Sequence, residues 1–101
     1  MIVRAAGGSV VVHEVEDFDR FRVETGLAPA VLDGELRARD AGYVIDDDSA
    51  AIAPSFIALH AGPRTKDAAW GAHMRAMVEH ARRNGWFTDD GALVAHIVVG
   101  T

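Results

Sequence analysis

The run Leu93-Val94-Ala95-His96-Ile97-Val98-Val99 is apolar on both of its alternating sides. Successive side chains of a strand point to opposite faces. Leu93, Ala95, Ile97 and Val99 therefore fall one way, and Val94, His96 and Val98 the other. The segment Ser9 to Val15, entered through Gly7-Gly8, repeats the pattern, with Val10 and Val12 opposing Val11, His13 and Val15. Continuous β-branched runs of this kind belong to strands buried at least in part on both faces. Whatever this chain folds into must provide a sheet with cover on two sides.

The remaining elements follow from local signals. Asp17 is placed to cap a short helix carrying Phe18 and Phe21, which Gly26 stops. Pro29 reopens a helix whose stripe of Val31, Leu32, Leu36 and Ala38 runs to Ala41-Gly42. Tyr43-Val44-Ile45 predicts a strand, and Asp46-Asp47-Asp48-Ser49 a solvated turn. A further strand is expected from Ala51 to Ala53 and on through Phe56 to His60, with Pro54 forcing an edge position or a bulge. Lys66 to Asn84 predicts the clearest helix, capped by Thr65, with Trp70, Met74, Met77, Val78 and Ala81 on one stripe and Gly85 as its stop. Asp89-Asp90-Gly91 then turns the chain into the last strand.

That order, β-α-β-β-α-β, predicts an α+β fold: a ferredoxin-like sandwich with a four-stranded antiparallel sheet and both helices on one side. The length of 101 residues suits a single domain spanning residues 1–101. The second face of such a sheet would carry Val94, Val98, Val11, Val15, Phe56 and Ala58, with His96, His13 and His60 among them. An apolar patch of several hundred Å² usually marks an interface, so a homodimer or higher self-assembly is expected.

The layout and the segment Val11-Val12-His13-Glu14-Val15-Glu16-Asp17-Phe18-Asp19-Arg20-Phe21-Arg22 resemble the dimeric α/β-barrel superfamily. That group includes muconolactone isomerase-like, antibiotic-biosynthesis monooxygenase-like, EthD-like and YCII-related proteins. The resemblance implies two sheets packed face to face and a small organic ligand held in the cleft or barrel. The long segment Gly26 to Gly42 and the interruption at Pro54 depart from the pattern and leave the subfamily open.

Imidazole takes and gives protons near neutral pH. His13, His60 and His96, expected on neighbouring strands of one face, are therefore the candidate catalytic residues. Val11, Phe56, Val94, Tyr43, His73 and Trp70 are the candidate substrate contacts. The plainer alternative is a set of half-buried histidines satisfied by backbone or partner. Three imidazoles can also hold a metal, but no H-x-H or H-x-x-x-H spacing supports it. His73 and His80 read as boundary residues of the long helix, and Trp70, Met74, Met77 and Trp86 as helical core. Glu14 and Glu16 flank His13, with Glu14 on the opposite face.

Exclusions narrow the function. A net charge of −5 with scattered Lys and Arg argues against nucleic acid. No apolar run spans a bilayer, no leader pattern opens the chain, and cysteine is absent. A cytoplasmic protein is expected, with neither cofactor nor metal. Asp46-Asp47-Asp48 lacks the alternation of a calcium loop, and no G-x-S-x-G, H-E-x-x-H or C-x-x-C occurs. The leading expectation is a small homodimeric enzyme using acid/base chemistry on a small organic acid or aromatic, as an isomerase, lyase or monooxygenase. The alternatives are a non-catalytic ligand-binding or regulatory module, and a subunit that docks another protein through its apolar sheet face.

Overall fold

In the computed structural model, which describes residues 1–100, Gly7-Gly8 is a hairpin turn between two strands. Gly8 adopts φ +81°, a conformation that two-residue hairpin loops require and glycine reaches without strain. The turn joins β1 (Ile2–Ala6) to β2 (Ser9–His13). Beyond β2 the chain makes a tight bend, in which the Asp17 amide donates to the Glu14 carbonyl at 2.9 Å and the Asp17 carboxylate receives the Asp19 amide. It then enters β3 (Arg22–Thr25), α1 (Pro29–Ala38), β4 (Gly42–Asp46) and β5 (Ser49–Ile52). Helix α2 (Pro54–Ala61), a 3-10 turn (Gly62–Lys66), α3 (Ala68–Arg83) and β6 (Leu93–Val99) follow.

The six strands form one mixed sheet in the order β2-β1-β3-β6-β5-β4. Strands β1, β3 and β6 run parallel, flanked by β2 on one side and the β4–β5 hairpin on the other. The protein is α+β, but the expected four-stranded antiparallel ferredoxin-like sheet is not what forms. Nor, therefore, is the sheet one from which a dimeric α/β barrel is assembled.

Three local readings account for the difference. Ile2–Ala6, for which the sequence suggests no element, is a strand. Arg22-Val23-Glu24-Thr25, expected at the end of a first helix, is a parallel strand joining β1 to β6. Phe56 to His60, expected as a strand broken by Pro54, is helical. Pro54 occupies the start of α2, where a missing N–H costs nothing, and the Phe56 amide already donates back to the Ala53 carbonyl at 3.0 Å. The long helix starts at Ala68, with Asp67 rather than Thr65 as its cap: the Asp67 carboxylate accepts the Ala69 amide at 2.9 Å.

One face of the sheet carries the core. Val12, Val3, Val23 and Ile97 lie in one cross-strand row, with Val10, Ala5 and Thr25 in a neighbouring one. These side chains are buried in one cluster with Leu32 and Leu36 of α1, Ile57 of α2 and Trp70 of α3. The opposite face differs from the sequence expectation. Its central row reads His13, Ile2, Arg22, His96, Ser49, and the next reads Val11, Arg4, Glu24, Val98. Glu24 accepts from Arg4 at 3.0 Å and from Arg22 at 2.7 Å. An ionic stripe thus crosses the middle of a face expected to be apolar apart from its histidines, because β3 contributes two charges to it. The argument for homodimerisation from an apolar face loses that premise. Among the described residues, no helix is long and apolar enough to cross a membrane.

Candidate functional site

The helix α3 ends where the site begins. Gly85 turns the chain at φ +75°, and the Trp86 amide donates to the Ala81 carbonyl at 2.8 Å. The Trp86 carbonyl in turn accepts the Val94 amide at 2.8 Å, and Phe87 bridges Leu93. Both sides of the Trp86 backbone are pinned, yet its indole stays 51% exposed. The Arg82 guanidinium lies 4.9 Å from the Phe87 ring centre and covers the segment from outside.

Phe21, the residue before β3, faces this indole across a cleft. Two adjoining chambers open there, of about 340 and 250 Å³, and Phe21, Trp86 and Val94 line both. The first is completed by His96 and Ser49. Asp19, Met77, His80, Ala81 and Leu93 complete the second. His80 stands edge-on to Trp86, ring centres 5.7 Å apart, with the Asn84 amide 3.4 Å from its Nε2. Ser49 lies beside His96 in the β5–β6 register and donates its hydroxyl to Asp46 at 2.9 Å. The Asp46 carboxyl is held below its usual range, first by the Asp48 amide and then by this hydroxyl.

The three expected catalytic histidines do not meet. His13 and His96 share the outer face, but Ile2 and Arg22 stand between them, three strand spacings or about 14 Å in all. His60 sits on α2, its ring tilted against Phe56 with centroids 4.4 Å apart and its Nδ1 3.2 Å from the Phe56 carbonyl. Among the described residues no group of three or more His, Asp or Glu side chains is placed to hold a metal. The three-imidazole centre considered from the sequence is not formed.

The expected substrate contacts are spread over the molecule. Val94 lies in the cleft, whereas Val11 is on the outer face of β2 and Phe56 is buried in the core. Trp70 is buried, its Nε1 donating to the Val15 carbonyl at 2.8 Å. His73 is exposed, 5.4 Å from the Phe18 ring. Tyr43 lines a separate hollow of about 350 Å³ with Arg37, Asp40 and Asp90. There the Tyr43 hydroxyl donates to Asp90 at 3.1 Å, Thr88 donates to the same carboxylate, and Arg37 lies over the Tyr43 ring. Those two hydroxyls, Thr88 foremost, hold the Asp90 carboxyl below its usual range. The hollow's tyrosine hydroxyl and the Asp90 carboxylate are thus already paired with each other.

The chain matches no protein family, curated protein or solved structure to which it was compared.

Phe21, Trp86, His80 and Ser49 were not among the expected site residues. Trp86 and His80 carried a signal in their spacing: a glycine-stopped helix whose last turn holds a histidine and whose first residue beyond the stop is an indole. Phe21 and Ser49 carried none, since their place depends on the β3–β6 and β5–β6 registers.

Proposed function

We propose that the protein binds a small, flat aromatic molecule bearing an acidic or hydroxyl group in the cleft between Phe21 and Trp86. The observation that carries this reading is that the two chambers share their aromatic and aliphatic walls while each has its own imidazole, His96 in one and His80 in the other. Ligand sites are mostly apolar concavities with a few polar groups that fix orientation, and the two chambers together reach the usual volume. A ring-sized molecule would stack on the pinned indole and hydrogen-bond to His96, whose imidazole donates N–H to a carboxylate or accepts from a hydroxyl.

A proton-transfer enzyme expected from three convergent histidines is less well supported, since each chamber offers one imidazole. Binding, with His96 as the hydrogen-bonding partner of the ligand's polar group, is the function favoured by this geometry. A heteronuclear NMR titration with phenol, benzoate and their ring-substituted forms tests it. The Trp86 indole and His96 imidazole resonances should move together and saturate. His96→Ala and Trp86→Ala should each weaken binding about tenfold, the loss of one charge-assisted hydrogen bond or one stacking platform. Absence of saturation at millimolar ligand, or wild-type affinity in either variant, overturns the reading.

A further inference from the structure

A second concavity lies on the other side of α3, and it shares no lining residue with the aromatic cleft. Pro54 and Ala58 of α2 and Met74 and Val78 of α3 form a mostly apolar trough of about 460 Å³, which Ser55, Arg75 and Glu79 also line. The two charges are not equivalent. Glu79 has Arg82 within 3.7 Å on the same helix. Arg75 has no carboxylate within ion-pair distance among the described residues. Its guanidinium is laid back along the helix over Gly71, where an added Cβ would come within 3.5 Å of Nη1. The guanidinium thus packs against its own helix, and no side-chain carboxylate has claimed its donors. An apolar trough ending at one unspent guanidinium is complementary to a straight alkyl chain ending in a carboxylate.

We infer that the α2–α3 groove binds a free medium-chain alkyl carboxylate, with the chain along Ala58, Met74 and Val78 and the carboxylate on Arg75. Neither the aromatic cleft nor its histidines enter this inference, so each can fail without the other.

The test is a titration with hexanoate, octanoate and decanoate below their micellar concentrations, followed on the methyl resonances of Met74, Val78 and Ala58. Affinity should rise about fourfold per added methylene until the trough is filled. Octanol should bind about tenfold more weakly than octanoate. Arg75→Gln should abolish that preference for the carboxylate while leaving the melting temperature and the affinity for octanol in place. Ala58→Trp, filling the trough from α2, should remove binding of all four. Binding seen only at micellar concentrations, equal binding of octanol and octanoate, or an unchanged carboxylate affinity in Arg75→Gln overturns the inference.

Discussion

Oδ1 of Asp33, on α1, accepts the backbone N–H of Val44, on edge strand β4, at 2.9 Å. Its other oxygen takes the Arg37 Nε at 2.8 Å, one turn along the same helix. An edge strand presents unpaired amides that invite pairing with another chain, and here a helix side chain occupies one of them. The amide of Val44, then the Arg37 guanidinium, hold the Asp33 carboxyl below its usual range. Asp33→Ala removes both contacts and should cost about 1 kcal/mol in urea unfolding. Asp33→Asn keeps an acceptor for Val44 and loses only an exposed ion pair, worth about 0.3–0.5 kcal/mol. Equal losses in the two variants would remove the edge-capping role.

Thr25 is the buried polar side chain of the core, 3% exposed. Its hydroxyl donates to the Ala5 carbonyl at 2.8 Å and accepts the Leu27 amide at 3.0 Å. It thereby joins β1 to the start of the loop that leads into α1. Thr25→Val preserves shape and strands both backbone groups, a loss of about 1–3 kcal/mol. Thr25→Ser keeps the hydroxyl and should lose less than half as much. If valine proves as stable as threonine by thermal melting, the two bonds contribute nothing net.

How far the sequence could lead is clear from these elements. Leu93 to Val99, the two apolar sides of β2, and the helix ended by Gly85 were legible, because periodicity and a glycine stop are local. The β1–β2 hairpin and β3 were not. The alternation Arg22-Val23-Glu24-Thr25 spans only four residues, and Phe18 and Phe21 beside it imitate a helical stripe. Phe56 to His60 shows the same limit: a short apolar run fits a strand and a buried helix equally, and only Pro54 at the first helical position distinguishes them. The cleft was legible at His96 and Val94, which alternation placed on the second face. Its other wall comes from Phe21 and Trp86, which meet only because the parallel β3–β6 pairing brings distant parts of the chain together.

Glu24 gives the outer face its pH dependence. Hydrogen bonds from Arg4, foremost, and Arg22 hold its carboxyl below the usual glutamate range. A carboxyl with a lower pKa in the folded than in the unfolded state stabilises the fold fully above its unfolded pKa. That contribution is lost as pH falls through the folded value. Glu24→Gln should therefore lower the melting temperature at neutral pH. The difference from wild type should narrow as pH falls below the ordinary carboxylate range, and shrink in high salt as exposed charges are screened. A gap that stays constant from neutral to strongly acid pH would show that the ion pairs are not its source.

The two tryptophans should behave as opposites toward a soluble quencher. Trp70 is 7% exposed and hydrogen-bonded to Val15, whereas Trp86 is 51% exposed at the mouth of the cleft. Iodide should quench only one emission component, giving a downward-curving quenching plot. Trp86→Phe should remove that component with little change in stability, because half of the ring already meets water. Trp70→Phe should leave it and cost about 1–3 kcal/mol for the abandoned Val15 carbonyl and the core gap. The same measurement separates the two concavities. A phenol or benzoate seated on the indole must shield Trp86 from iodide, whereas octanoate in the α2–α3 groove must leave its quenching unchanged. Shielding by octanoate in the Arg75→Gln protein would place the alkyl chain in the aromatic cleft instead.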